Sequence, residues 1–321
     1  LAAIELPPGG FFADRGMSVM EKKWTIEVLG DNAYLVRFYG VRDGWQQHVM
    51  LSGDRHHDHA QTDHRLERLH LDRAKERNAP IFDVGDLHDA MQSKGDRRQS
   101  KEALRSEYVG DDYADRLVYR AADFYEPYAD LWAIMAKGNH ETSALKHLET
   151  DLTYRTAREL RMHTGNDWPY AADYAGWVFF RFHIQKTVRQ TLRMKFHHGH
   201  GGGGPVTKGV IQTNRRAVYL PDADIVVTGH IHDAWTGPIT RERITQKGNS
   251  YRDVAWHVSV PTYKEEYGGG NGFHIERGRP PKPLGQGPSV PAQVHAGPVR
   301  QDDRRGRVRA HRIPHQRQAV R

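Results

Sequence analysis

Short apolar segments recur along this chain, and glycine, proline or charged residues bound each of them. They are too short for helices and read as strands of a sheet. Segments with helical spacing of apolar residues lie between them, and this alternation predicts an α/β domain with two packed sheets. Strands are predicted at 24–28, 34–39, 47–51, 80–84, 131–136, 177–184, 191–196, 223–228 and 252–260, and helical segments at 62–77, within 100–130, and around 142–150 and 152–163.

The two ends of the chain differ in composition from its middle. Residues 1–16 contain Pro7 and Pro8 and lack a basic stretch leading into an apolar one, so a signal peptide is not indicated. We expect them to be a non-native or disordered extension. Residues 278–321 are rich in proline and arginine and should form a disordered tail. The folded domain is therefore expected to span 17–277.

The charge distribution argues against a broad nucleic-acid-binding surface on this domain. Residues 285–321 contain eight Arg and two Asp, a net of +6, so only +1 of the total charge of +7 belongs to the rest. No apolar run is long enough to span a membrane. Cysteine is absent, so nitrogen and oxygen atoms must hold any metal ion. A cytoplasmic location is expected.

Polar motifs rich in histidine and acidic residues follow five of the predicted strands. Sites in α/β folds gather at the carboxyl ends of strands. Each motif alone is common by chance, but five in succession are a strong signal for a site that binds Mn, Fe, Zn or Ni. The motifs are Asp54-Arg55-His56, Gly85-Asp86-Leu87-His88-Asp89, Gly138-Asn139-His140-Glu141, His198-Gly199-His200 and Gly229-His230-Ile231-His232.

In the order and content of these motifs, residues 47–265 resemble the calcineurin-like metallophosphoesterase superfamily. Residues 85–97 and 197–216 are most similar to its phage- or prophage-encoded members. The resemblance implies a four-layer αββα sandwich with two divalent metal ions, Mn as the first expectation and Fe, Zn, Ni or Mg as alternatives. It further implies one ion held by Asp54, His56 and His232, and a second held by Asn139, His198 and His230, with Asp86 bridging both.

The resemblance also implies catalytic roles. His140 would protonate the leaving oxygen or stabilise charge on the phosphoryl group, and the Asp89 carboxylate would hold the His140 ring in the required tautomer. A hydroxide bridging the two ions would attack the phosphorus. Phosphodiesters of nucleotide or nucleic-acid type are the first expected substrate. The alternatives are phosphomonoesters, or nucleic-acid binding through the Arg-rich tail.

Features of protein Ser/Thr phosphatases are missing from the motifs. No glycine follows His56, and no Arg-Gly pair follows Asp89. Protein dephosphorylation is therefore disfavoured. No residue can be assigned to substrate binding, and the oligomeric state is open.

The remaining histidines carry weaker signals. A lone histidine is usually solvated or hydrogen-bonded. Surface positions are therefore expected for four histidines in or before the predicted helix at 62–77. His88 and His200 are treated as incidental. His197 is a rival to His198, although the ligand in the family precedes glycine. The Gly-rich residues 201–204 suit either phosphate contacts or a plain loop. The surface group comprises His57, His59, His64 and His70, and the basic residues after the loop are Lys208, Arg215 and Arg216.

Overall fold

The computed structural model describes residues 4–5, 24–41, 46–92, 103–183, 189–201, 209–268, 272–287 and 290–291. The strands are β1 (Ile4–Glu5), β2 (Trp24–Gly30), β3 (Ala33–Phe38), β4 (Met50–Ser52), β5 (Ile81–Asp83), β6 (Trp132–Ala136), β7 (Tyr170–Ala172), β8 (Ala175–His183), β9 (Arg189–His197), β10 (Ile225–Thr228), β11 (Trp235–Ile244), β12 (Ser250–Ser259) and β13 (Val290–Pro291). The α-helices are α1 (His64–Glu76), α2 (Tyr113–Tyr125), α3 (Asn139–Leu148), α4 (Leu152–Thr164), α5 (Val210–Tyr219) and α6 (Phe273–Glu276), with short 3-10 helices at Ser106–Tyr108 and Glu126–Leu131.

Two sheets form the framework, so the α/β class is confirmed. The larger is mixed, with strand order β11-β12-β10-β9-β8-β3-β2. The smaller, β4-β5-β6-β7, is entirely parallel. Separately, β1 and β13 pair in parallel.

The two sheets face each other across a shared hydrophobic core. Consecutive residues of a strand point to opposite faces of its sheet, and the smaller sheet has apolar residues on both. Leu51 and Phe82 join residues of the larger sheet, and the Phe82 and Phe180 rings lie 5.4 Å apart. Their neighbours Met50 and Ile81 point the other way, into a second core with residues of α1, α2 and α4. Helices, the smaller sheet and the larger sheet are therefore stacked in that order.

Strand prediction succeeded wherever the apolar pattern was continuous, and all nine predicted strands are present. Four described strands were not predicted: β1 and β13, which have two residues each, β7, which has three, and β11, whose Gly237 and Pro238 read as a turn. Proline is tolerated in β11 because it is an edge strand. The first predicted helix is α1, and α3 begins three residues earlier than expected, so that Asn139 lies in its first turn.

Contacts with the domain extend beyond residue 277, where its boundary was predicted. Residues 278–287 pack against the domain, because proline prevents regular structure but leaves other backbone groups free to bond. The Gly285 N–H donates to the Thr262 carbonyl oxygen at 2.7 Å, and Lys282 Nζ lies 2.7 Å from Asp233 Oδ2. Residues 292–321, and all of 1–16 except β1, lie outside the described residues. Among the described helices, none has the length and apolar character needed to cross a bilayer.

A buried arginine fixes the loop that follows β4. The Arg55 guanidinium donates to Asp83 Oδ2 at 2.7 Å, to Glu67 Oε1 at 2.5 Å and to Ser52 Oγ at 2.6 Å. Its side chain has no solvent exposure, and it also lies 4.8 Å from the Trp132 ring centroid. The Arg55 side chain thus connects the end of β4 to β5 and α1. In the chain it lies between Asp54 and His56, the two predicted ligands of the first motif.

Replacing this arginine should destabilise the fold strongly. Arg55→Met leaves the buried carboxylates of Glu67 and Asp83 unpaired, which should lower the free energy of unfolding by about 3–5 kcal/mol. Urea denaturation at neutral pH measures the change. The control is Arg116→Met, which removes a surface pair with Asp112 and should change stability by about 0.5 kcal/mol or less. Equal unfolding midpoints for the two variants would contradict the role of Arg55.

Candidate metal centre

The five motif segments meet at the carboxyl ends of β4, β5, β6, β9 and β10. Backbone hydrogen bonds join them: the Asp54 N–H donates to the Gly85 carbonyl oxygen at 2.8 Å, and the Gly229 N–H donates to the His198 carbonyl oxygen at 2.8 Å. All seven predicted metal ligands are thereby brought to one region, five of them in the left-handed backbone conformation, where non-glycine residues are uncommon. Those five are Asp54, His56, Asp86, His230 and His232.

The first group of potential ligands consists of Asp54, His56 and His232, whose ligand atoms all lie within 4.8 Å of one another. The two imidazole Nε2 atoms are 3.3 Å apart, and His232 Nε2 lies 3.4 Å from Asp54 Oδ1. Asp54 and His56 are fully buried, whereas His232 is partly open. This group matches the ligand set expected for one of the two ions.

The second group consists of Asp86, His198 and His230, whose ligand atoms likewise lie within 4.8 Å of one another. Asn139 joins it, since its Oδ1 lies 2.7 Å from His230 Nδ1 and 3.1 Å from His198 Nε2. His198 Nε2 is also 3.1 Å from Asp86 Oδ2. These four residues correspond to the second expected set with its bridging carboxylate.

The two groups adjoin. The His230 N–H of the second group donates to the Asp54 carboxylate of the first, at 2.8 Å from Oδ2. On the other side, Asp86 Oδ2 lies 3.8 Å from His140 Nε2, and the His140 ring packs edge-on against His56 with centroids 4.8 Å apart. Asp54 and Asp86 therefore belong to one continuous network of side-chain contacts.

The first group fits a cation because two imidazole nitrogens and a carboxylate oxygen converge in it. His56 Nδ1 lies 2.9 Å from Asp89 Oδ1, and His232 Nδ1 lies 3.1 Å from Glu266 Oε2. With a carboxylate beside Nδ1 of each ring, both rings turn Nε2 toward each other, and His232 Nε2 also lies near Asp54 Oδ1, where a bound ion would take the place of a proton. Burial lowers the pKa of His232, but Asp54 and Glu266 outweigh it and raise the pKa to about 10. The cluster thus attracts positive charge.

The second group fits a cation for the same reason. His198 Nδ1 lies 3.0 Å from the Val84 carbonyl oxygen, which takes its hydrogen and leaves Nε2 facing the Asn139 and Asp86 oxygens. Burial lowers the pKa of His198, but Asp86 raises it to about 9. Neutral imidazole with carboxylate and amide oxygen suits divalent transition metals.

The predicted contact between the Asp89 carboxylate and His140 is wrong. His140 Nδ1 lies 2.5 Å from the main-chain carbonyl oxygen of Asp89. The Asp89 carboxylate turns instead to His56 and to Lys264, whose Nζ lies 3.1 Å from Oδ1. The backbone oxygen, and not the carboxylate, is therefore the atom of Asp89 that contacts His140 Nδ1.

Glu141 joins the second and third motifs through backbone hydrogen bonds. Its carboxylate accepts from the N–H groups of Asp86, His88 and Gly138, at 3.0, 2.9 and 2.8 Å. Burial, with Asp86 nearby, raises its pKa to about 8. Glu141 therefore sets the position of Asp86 relative to α3.

Sequence reasoning missed residues that contact the ligands from outside the motifs. Glu266 bonds to His232, and Lys264 bonds to Asp89. They lie just beyond β12, one of the predicted strands that no motif follows. The cluster of polar residues directly after this predicted strand is the sequence signal that could have identified Lys264 and Glu266.

The surface assignment is wrong for three of the other histidines, since His57, His59 and His70 are buried. His88 lies outside both groups, with Nε2 3.1 Å from Thr156 Oγ1. His197 is also outside them, since its Nδ1 accepts from the Gly199 N–H at 2.9 Å.

The loop after the fourth motif supplies no contact to either group within the described residues. His200, Gly201 and Arg215 are exposed, and Arg216 is half-buried. Residues 202–204 and Lys208 lie outside the described residues.

No protein-family model and no curated protein matches this chain. Among solved structures, that of a novel archaeal phosphodiesterase matches with a TM-score of 0.31 and 13% identity, over 64% of this chain and 98% of that one.

A methyl group added at Gly138 should disrupt the second group. Its Cβ would lie 2.0 Å from Asp86 Oδ1 and 2.5 Å from the Asp86 backbone nitrogen, so Asp86 must shift. We expect Gly138→Ala to weaken metal binding on the order of 10–100-fold, as measured by metal content after dialysis against a chelator. Gly30→Ala is the control, since nothing lies within 4 Å of its Cβ position. Retention of metal equal to that control would refute the placement of Asp86.

Proposed function

We propose that this chain is a metal-dependent phosphoesterase of the calcineurin-like superfamily that binds two divalent ions, Mn first among them. The supporting observation is the pair of adjoining ligand groups. Asp54, His56 and His232 would hold one ion, Asn139, His198 and His230 the other, and Asp86 would bridge them. Ions bound there would polarise the phosphoryl oxygens and lower the pKa of water for attack on phosphorus.

We propose that His140 assists departure of the leaving group. The Asp89 carbonyl oxygen fixes Nδ1 as the donor nitrogen, which leaves Nε2 directed at the region between the groups, 3.8 Å from Asp86 Oδ2. His140 contacts ligand residues of both groups and is 9% exposed, so a substrate oxygen can reach it. A proton at Nε2 could pass to the leaving oxygen or stabilise its charge.

A phosphodiester is the preferred substrate class. A phosphomonoester carries one more negative charge than a phosphodiester, so an additional cationic side chain would be expected to bind it. Among the described residues that contact the two groups, the lysine is Lys264, and its ammonium is engaged by Asp89 and Glu266. The nearly neutral charge of residues 1–284 likewise favours a small or terminal diester over a long duplex.

We also propose that α5 supplies the fourth layer of an αββα sandwich. His257 on β12 alternates with Val258, which belongs to the core between the sheets, so His257 lies on the outer face. His257 is nevertheless only 2% exposed. Burial, followed by the charges of Arg216 on α5 and Arg241 on β11, lowers the pKa of His257 to about 4. The burial of this outer-face residue is the observation that supports a layer above it, and Thr213 is the buried residue of α5.

Removing His140 should separate catalysis from metal binding. His140→Ala should keep both ions but lose on the order of 10²–10⁴ in rate, whereas Asp86→Asn should lose the ions and nearly all activity. The measurements are metal content and Mn-dependent hydrolysis of a chromogenic phosphodiester, beside a matching monoester. His147→Ala, at an exposed position of the same helix, should behave as wild type. Wild-type turnover by His140→Ala would remove the proposed role.

The alternative, nucleic-acid binding through the Arg-rich tail, makes a different prediction. Deleting residues 292–321 removes all eight Arg of the tail and spares the packed segment 278–287. The enzyme should keep its Mn-dependent diesterase activity after this deletion. A full-length variant with the eight Arg changed to Gln controls for chain length. A full-length protein that binds nucleic acid without hydrolysing the diester, and loses that binding in both variants, would favour the alternative.

A further inference from the structure

Two carboxylates engage the imidazoles of the first group at the same ring atom. Asp89 Oδ1 lies 2.9 Å from Nδ1 of His56, and Glu266 Oε2 lies 3.1 Å from Nδ1 of His232. Both rings consequently present Nε2 to the shared position, where the two Nε2 atoms are 3.3 Å apart. A carboxylate at the outer nitrogen of a ligating histidine fixes its tautomer and its orientation.

One lysine joins these two carboxylates. Lys264 Nζ lies 3.1 Å from Asp89 Oδ1 and 3.5 Å from Glu266 Oε1, and its side chain is 9% exposed. The contacts form a closed ring that runs from His56 through Asp89, Lys264 and Glu266 to His232 and back to His56. His274 Nε2, 3.1 Å from Glu266 Oε2, supports the ring from α6.

The segment that carries the lysine is itself fixed to the first motif. Thr262 Oγ1 donates to the Asp54 carbonyl oxygen at 2.7 Å and accepts from the Lys264 N–H at 2.9 Å. The Tyr263 N–H also donates to the Asp54 carbonyl oxygen, at 3.2 Å. A shift of the Asp54 loop and a shift of Lys264 are therefore coupled through short backbone contacts.

We propose that Lys264 and Glu266 are positioning residues for the first ligand group, with one ammonium holding both orienting carboxylates so that His56 and His232 direct Nε2 at a single divalent ion. This inference rests on the proposed metal centre. Without the lysine, Asp89 and Glu266 would be two buried like charges that repel each other. They would rotate or take up protons, and the two imidazoles would lose their fixed orientation.

The sign of the effect separates positioning from simple charge. If Lys264 acted only through its positive charge, its removal would strengthen the binding of a cation nearby. Positioning predicts the opposite, because the histidine ligands lose their alignment. Weaker binding of the ion at one site, with unchanged affinity at the other site, therefore identifies positioning. It also excludes a general destabilisation of both ligand groups.

The test is titration with Mn²⁺ alone at fixed pH, following free Mn²⁺ by electron paramagnetic resonance to count sites and obtain each Kd. Wild type should bind two ions. Lys264→Met and Glu266→Ala should weaken one of the two sites by about 10–100-fold and leave the other as it was. Glu266→Gln keeps an oxygen that can accept from His232 Nδ1 and should weaken that site less.

Arg241→Met provides the matched control. Arg241 also contacts two carboxylates, at 2.7 Å from Asp253 Oδ1 and 3.8 Å from Asp224 Oδ1, and its side chain is 13% exposed. Both Mn²⁺ sites should keep their affinity in this variant. If Lys264→Met does not fold, the two Glu266 variants decide the question.

The outcomes distinguish the inference from the function on which it rests. Two sites of wild-type or greater affinity in the Lys264 and Glu266 variants would overturn the positioning role and leave the metal centre standing. Equal weakening of both sites would also overturn it. A wild-type protein that binds no Mn²⁺ would overturn the metal centre and the positioning role together.

Discussion

The convergence of imidazole nitrogens with carboxylate oxygens among largely buried side chains is the constraint on which this structure depends. Two imidazole Nε2 atoms face each other at 3.3 Å in the first group, and a third faces carboxylate and amide oxygens in the second. Such an arrangement is unfavourable unless positive charge is present among the atoms. The neighbouring carboxylates raise the pKa values of His198 and His232, because a proton on either ring also supplies positive charge. A divalent ion in each group would meet it with ligands already in place.

The fold builds this pocket by placing strand ends together and then fixing the loops that follow. Parallel strands bring the motif segments to one edge, and several ligand residues adopt left-handed backbone there. Two buried polar side chains hold the loops: Arg55 bonds inward to Glu67 and Asp83, and Glu141 accepts from three backbone N–H groups. The energetic cost of the left-handed backbone at the predicted metal-ligating residues is thus offset by buried hydrogen bonds.

The sequence predicted the strands and the side chains that meet, because both depend on local patterns. A continuous apolar run specifies a buried strand, and the residues after it must lie at its carboxyl end. Contacts between segments that are distant in the sequence could not be predicted from such local patterns. The pairing of the Asp89 carboxylate with Lys264 depends on two residues 175 positions apart, and no spacing rule relates them. The burial of His57 and His70 likewise depends on how α1 packs, which its polar composition concealed.

The most direct measurement of the central claim is the anomalous scattering of crystals soaked in Mn²⁺, recorded at the manganese absorption edge. Two peaks should appear about 3.5–4 Å apart, one between Asp54, His56 and His232 and the other between Asn139, His198 and His230, with Asp86 touching both. Absence of peaks in the pocket, or peaks only at surface carboxylates, would contradict the account.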